Sequence, residues 1–446
     1  MLGLIIFFVI QIFCGWTVLS TFKIKERFSL FESMALAYGM GMGFISLEIF
    51  FLFLFKLPLD PVLVLLPWVI FAAINLWRKQ FLIPDGKFIF TLSSLTRFET
   101  FLLCAISFEI FYSFFRAAVM PMDAYDSLAI WGLKAKAIYL EQALPISLFK
   151  NPEYSFMHMD YPLMIPLEEA FFYKLSNGIN DGLVKVMFSA YFLSLLVVFA
   201  SGLYRLLGRR NALLFTFLLS SMSQFNNFSQ NGYVDLVVAF YYSLSALFIY
   251  HGYKNQEWNF FALAAVFSGM GAWAKNEGMA LYFLNLLLLL VLGAFKKKRL
   301  LAFYLIMGFL FIAPWFWFRN VLGLTGDLFT EGAVLPIVLS NLNRILKISV
   351  YYQIQFFDIK RWNIMWGLFL LTIIFNFRRL LIPKFQPVFL SLVGVFGIYT
   401  VIYILTPLPL EWQLSTTVSR IFIHFAPLAV FWLALVYDEV YKKWLN

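Results

Sequence analysis

The feature that most constrains this chain is the recurrence of apolar runs long enough to cross ~30 Å of hydrocarbon. They fall at about residues 2–22, 31–56, 60–77, 100–117, 181–207, 210–226, 232–251, 258–275, 278–295, 300–318, 362–377, 386–405 and 421–440. That pattern predicts about thirteen transmembrane helices, the 210–226 run being the weakest. Composition agrees: the chain is 62% hydrophobic and 13% charged, with a mean hydropathy of +0.82, where a soluble domain carries about 25% charged residues. The expected fold class is an all-α polytopic membrane protein. Met1 to Thr21 lacks a basic leader and a small-residue cleavage site, so it reads as the first span.

The net charge of +10 does not point to a nucleic-acid partner, because of where the basic residues sit. Lys23, Lys25 and Arg27, then Arg78 and Lys79, then Arg205, Arg209 and Arg210, then Lys296 to Arg299, then Arg378 and Arg379 all lie between apolar runs. Alternating sides through the spans puts every such cluster on one face, the cytoplasmic one by the positive-inside rule. The opposite face receives 118–180, 226–232, 275–278, 319–361 and 406–420. This assignment requires that 161–174 does not cross. YPLMIPLEEAFFYKL has two prolines at its start, and Leu163, Leu167, Phe171 and Leu175 make one stripe with Glu168, Glu169 and Lys174 off it. It therefore reads as an interfacial amphipathic helix, and Ile345 to Phe357 reads the same way. Cys14 and Cys104 both lie in apolar runs and suggest neither a disulfide framework nor a metal site.

Ionisable residues concentrate on the predicted outer face. The stretch from Pro121 to Pro166 holds Asp123, Asp126, Lys134, Lys136, Glu141, His158 and Asp160. Asp235 begins a span, Lys275 and Glu277 occupy a short turn, Arg319 ends a span, and Glu411, Arg420 and His424 surround the last one. Each has an ordinary explanation alone: Asp235 as a helix N-terminal charge, Lys275 and Arg319 as snorkelling cations, Asp123 and Asp126 as solvated loop acids, His158 and His424 as structural histidines. Their gathering on one face favours a functional reading. Fixed cations suit a lipid phosphate, and a carboxylate suits deprotonation of an attacking hydroxyl. No His/Cys/carboxylate spacing suggests a zinc or di-metal site, and no nucleotide-binding glycine loop is visible.

The run YDSLAIWGLKAKAIY resembles the first outer loop of bacterial members of the dolichyl-phosphate-mannose protein mannosyltransferase-like superfamily, the GT-C glycosyltransferases. DYPLMIPLEEAFF, GYVDLVVAFYYSLSALF, AWAKNEGM, PWFWFRN and WQLSTTVSRIFIHFAPL resemble further stretches of that family, in its order, from about residue 100 to 440. The resemblance implies a GT-C catalytic domain over 100–440 behind a three-span extension over 1–99. Its outer loops would be 118–180 with juxtamembrane amphipathic helices, 319–361 and 406–420. It implies Asp126, or alternatively Asp123, as the catalytic base and Asp235 as a second carboxylate. Lys275, Arg319 and Arg420 would hold the donor phosphate, with Glu277 orienting Lys275. His158, Asp160, Tyr161 and His424 would belong to the substrate pocket. Two departures from the family pattern are a single proline after Tyr161 and Ser127 where an acid often follows the loop Asp.

The expected activity is transfer of one sugar from a polyprenyl-phosphate carrier to a hydroxyl of a lipid, glycan or protein, at the outer face of a bacterial inner membrane. Partners would be that donor, the acceptor and membrane lipid, without nucleic acid. No cofactor is expected, although a divalent ion on Asp126 and Asp235 is compatible with the residues. A transporter or flippase is the alternative; it would call for repeat-related halves and mid-span charges, whereas these charges cluster at span ends.

Overall fold

The structure is a computed structural model that describes residues 1–22, 28–81, 84, 95–293, 298–324, 326, 334–378 and 382–445. Among these residues it is helical, with no strand. The basic residues Lys23, Lys25, Arg27, Lys296, Lys297 and Arg379 lie outside the described residues. The principal helices, in chain order, are α1 (Leu2–Leu19), α2 (Leu30–Leu54), α3 (Pro61–Trp77), α4 (Arg97–Val119), α5 (Leu133–Glu141), α6 (Met164–Leu175), α7 (Val186–Leu207), α8 (Arg209–Ser220) and α9 (Ser223–Phe228). They continue as α10 (Asp235–Asn255), α11 (Trp258–Ala274), α12 (Asn276–Val291), α13 (Lys298–Leu322), α14 (Arg344–Phe357), α15 (Ile359–Trp362), α16 (Met365–Asn376), α17 (Gln386–Leu405) and α18 (Leu410–Leu445).

Among the described residues, eight helical segments are long and apolar enough to cross a membrane, and they contain α1, α2, α4, α7, α10, α13, α17 and most of α18. Four shorter apolar helices, α3, α11, α12 and α16, accompany them. This is the architecture of a polytopic membrane protein. The 210–226 run is not one spanning helix: it divides into α8 and α9 at Ser221 and Met222, and the 12 residues of α8 cover only about 18 Å. The stretch 406–420 is a loop only over 406–409, because α18 begins at Leu410 and runs unbroken into the last span.

Burial separates centre from periphery. The most apolar stretch of α10 is 94% buried and that of α18 89%, against 22% for α4. Phe98, Phe101, Phe108, Phe111 and Phe115 of α4 are exposed, as a lipid-facing surface requires. At one end of the bundle, two basic positions are met by acids in first helical turns. Thr96 and Glu99 form a capping box at the start of α4. Arg209 then bonds both oxygens of Glu99 at 2.9 and 3.0 Å, and Arg205 both oxygens of Glu32 at 2.7 and 2.8 Å.

The first two helices pack into the rest of the bundle: α1 and α2 against each other and against α6, and α2 also against α7 and α11. Their backbones touch, since a Cβ on Gly41 would lie 2.0 Å from the Gln11 carbonyl oxygen. This contact aims Gln11, whose Nε2 donates to Glu168 Oε2 at 2.5 Å. The expected amphipathic surface helix at 161–175 is therefore corrected. Glu168 and Glu169, expected on an open polar face, are fully buried in α6. Helical periodicity gives relative faces within a segment; it does not say which face another helix covers. By contrast α14 keeps Leu346, Val350, Ile354 and Phe357 exposed while burying Ile348, as an interfacial helix would.

Burial pushes the Glu168 and Glu169 carboxyls well up, so both favour the neutral acid. A raised carboxyl stabilises the fold below its unfolded value and withdraws that stability as pH climbs towards the folded value. We expect the thermal midpoint of the detergent-solubilised protein to fall as pH rises above about 4.5. Glu168→Gln, which keeps the shape without the ionisation, should flatten that slope, while Glu168→Lys should abolish the folded peak in gel filtration.

Candidate active site

Four chain segments converge at one end of the bundle. Asp126 opens a π-helical turn, Asp126–Gly132, leading into α5; such turns displace a side chain from regular helical register and recur at functional sites. Buried Ser127 donates its hydroxyl to the Asn231 carbonyl, tying this turn to the segment that starts α10. That tie accounts for a small hydroxyl residue beside the loop aspartate. Asp235 is the first residue of α10. Lys275 is an extended residue between α11 and α12, and Arg420 lies near the start of α18. The α11–α12 junction is tight because Gly278 has no Cβ: one built there would lie 1.9 Å from the Gly271 carbonyl oxygen.

The side chains form a continuous charged network. Asp235 Oδ1 accepts from Lys275 Nζ at 2.9 Å and pairs with His424 Nε2 at 3.2 Å. Its Oδ2 accepts from Arg420 Nη2 and Nε at 2.9 and 3.2 Å. Arg420 Nη2 also donates to Asp126 Oδ2 at 2.5 Å, and Lys275 Nζ pairs with Glu277 Oε1 at 2.9 Å. Charges this deep in a membrane protein persist only when paired or facing a wet cavity, and removing one member of a buried pair costs about 3–5 kcal/mol. Aromatic rings complete the shell: Arg420 lies 4.7 Å over the Tyr233 ring, and Lys275 5.9 Å from the Tyr161 ring centre.

The network borders a cavity of about 680 Å³, a size suited to a small-molecule ligand. Asp126, His158, Tyr161, Asp235, Lys275, Glu277 and Arg420 all line it. Four predicted residues do not. Asp123 is exposed on the loop outside the cavity. Arg319 acts on Asp160 instead and lies over the Phe316 ring at 5.3 Å. Asp160 sits behind the wall, its Oδ2 accepting from Asn276 at 2.8 Å and its carbonyl from Trp315 Nε1 at 3.0 Å. His424 is fully buried behind Asp235. Arg361, Tyr399, Tyr403 and Trp412 also line the cavity and were not anticipated. Tyr399 and Tyr403, four apart on an apolar helix, were a polar-tipped stripe that periodicity could have exposed. Among the described residues no group of three or more His, Cys, Asp or Glu is arranged to hold a metal ion.

Lys134 and Lys136 have separate structural roles. Lys136 pairs with Asp181 at 2.6 Å. Lys134 is fully buried and donates to the His158 carbonyl at 2.7 Å, holding His158 in a left-handed conformation with φ of 49°. The His158 ring then stacks on Tyr161 at 5.0 Å, and Tyr161 on Trp131 at 5.5 Å. Burial pulls the Lys134 ammonium down to about 7, while burial pushes Asp160 up against the opposing pull of Arg319.

A depressed lysine binds fewer protons folded than unfolded, so its contribution to stability grows as pH rises from about 7 towards the ordinary 10.5 and is lost as pH falls through 7. Lys134→Met should remove this part of the pH dependence of the thermal midpoint, measured in detergent between those limits.

Comparison with known proteins adds one finding. Residues 160–318 match the family model described as dolichyl-phosphate-mannose-protein mannosyltransferase. The matched segment holds Asp160, Tyr161, Asp235, Lys275 and Glu277, and leaves Asp126, Arg319, Arg420 and His424 outside it. No curated protein and no solved structure gives a significant match. The match spans 159 of the 446 residues, and over that stretch the chain is similar to a GT-C type glycosyltransferase family.

Proposed function

We propose that the protein transfers one sugar from a polyprenyl-phosphate carrier to a hydroxyl of a lipid, glycan or protein acceptor, in the cavity beside Asp126. The observation that carries this reading is a pair of fixed cations, buried Lys275 and partly exposed Arg420, held against the cavity wall by Asp235, Asp126 and Glu277. Cations fixed in place before a ligand arrives stabilise a leaving phosphate with little reorganisation. Lys275 and Arg420 would contact the donor phosphate, and Glu277 would orient Lys275.

Asp235 and Asp126 differ in what they can do. Asp235 accepts on both oxygens and is fully buried, so it serves as an anchor. Asp126 meets Arg420 through Oδ2 and lines the cavity, so it is the better placed base. In the step proposed, the acceptor hydroxyl oxygen attacks the anomeric carbon and gives its proton to Asp126. The bond from the anomeric carbon to the phosphate oxygen breaks with its electron pair, inverting the anomeric centre and releasing polyprenyl phosphate. His158 and Tyr161 would border the sugar or the acceptor. Arg319 and Asp160 would support this wall from behind, and Asp123 would take no part. The cavity would open to the outer face of a bacterial inner membrane, with no cofactor required.

The test is sugar transfer in liposomes from a panel of radiolabelled polyprenyl-phosphate sugars to a membrane-extract acceptor. Asp126→Asn should lower kcat by about 10²–10⁴, the usual worth of a general base, while eluting as folded protein; Asp123→Asn should leave it unchanged. Activity should persist in a chelator. Full activity of Asp126→Asn, or loss confined to Asp123→Asn, would remove Asp126 from the mechanism. Cysteine labelling that puts 121–160 and 406–409 on opposite sides of the membrane would reject the shared chamber.

A further inference from the structure

The anchor of the cations is itself held by His424 from behind, and His424 in turn by Tyr399, which also lines the cavity. His424 is 0% exposed and Tyr399 2% exposed, and the two meet through His424 Nδ1 and the Tyr399 hydroxyl at 2.5 Å. Asp235 lies between Lys275 and Arg420, both cationic, and its carboxylate only accepts hydrogen bonds. His424 Nε2 must therefore donate to Oδ1, and Nδ1 of a neutral ring would accept from the Tyr399 hydroxyl. His424 follows Arg420 by four residues on α18, so both side chains project from one helical face. Arg420 takes Oδ2 of Asp235 while His424 takes Oδ1. The chain Tyr399–His424–Asp235 thus fastens α17 and α18 to α10.

We propose that Tyr399 and His424 are positioning residues that act through Asp235. By fixing both the place and the orientation of its carboxylate, they fix the Lys275 ammonium and the Arg420 guanidinium at the cavity wall. Lys275 and Glu277 also face this assembly, the lysine sharing Oδ1 with His424. The kinetic consequence rests on the donor-phosphate role proposed above; the contact network does not.

Two substitutions separate positioning from packing. The amide nitrogen of His424→Gln reaches the place of Nε2 and can donate to Asp235. That of His424→Asn reaches only the place of Nδ1 and cannot. Polyprenyl phosphate without a sugar is the binding probe for purified protein in detergent. Loss of a hydrogen bond to a charged group corresponds to about a tenfold effect or more, so His424→Asn should weaken the probe's Kd by about that factor and Tyr399→Phe by less. His424→Gln should stay near wild type, with kcat/KM for the donor following the same order.

A double-mutant cycle in the thermal midpoint provides a readout independent of any ligand. His424→Asn should lower the midpoint in the wild-type background and have little effect in Asp235→Leu, which has no acceptor for His424, because neighbours in one network are not additive. Equal behaviour of His424→Asn and His424→Gln, or an additive cycle, would overturn the inference. If the wild type fails to bind polyprenyl phosphate, the donor role falls, and the cycle alone decides whether His424 acts through Asp235.

Discussion

An ionised carboxylate inside a membrane protein is held in place by its partners, and this protein organises one end of its helix bundle around such a group. Asp235 is 1% exposed and takes hydrogen bonds from an ammonium, a guanidinium and an imidazole. Taking each charge out of water costs several kcal/mol, which mutual attraction offsets only with good geometry and satisfied oxygens. The partners come from the α11–α12 junction and from α18, and through Arg420 the network reaches the π-helical turn at Asp126. The constraint is collective. Moving any of these segments would strand a charge, so each is fixed by the others.

Within that network the acids have different tasks. Asp235 neutralises and aims Lys275 and Arg420, while Asp126 touches the same guanidinium from the cavity side. A paired cation need not be lost to a ligand. Lys275 has three N–H donors and Arg420 five, more than the carboxylates around them use. Pairing also explains how Lys275 remains buried before any anion arrives. The arrangement suits a site whose work is electrostatic, in keeping with the similarity of residues 160–318 to a mannosyltransferase family.

The apolar runs, the order of the helices and the gathering of charges at span ends were all legible in the sequence. Span alternation also sent Asp126, Asp235, Lys275, Glu277 and Arg420 to one face, but only by counting 210–226 as a full crossing, where the structure has α8 and α9. Within that face, sequence could not separate a cavity residue from one beside it. Arg319 and Arg361 both sit near helix ends, yet Arg319 turns to Asp160 and Arg361 to the cavity. Asp123 and Asp126 are three residues apart, and the π-helical turn takes only Asp126 inward. His424 could be read as a pocket residue, but its helical phase directs it to the back of Asp235.

What the sequence alone determined is therefore the solvent of this protein and the gathering of its outlying charges near the ends of apolar runs. Hydropathy and charge are summed over tens of residues, so those conclusions survive ignorance of any one contact. Tertiary structure decided what each charged group faces. Glu168 shows the division: its helical phase was correct, but α1 and α2, more than a hundred residues away in the chain, cover the face left open by local periodicity. The same holds at Asp235, whose partners lie 40, 185 and 189 residues away. The span of a helix follows from local composition, whereas the partner of a buried charge depends on helices that meet only when the chain has folded.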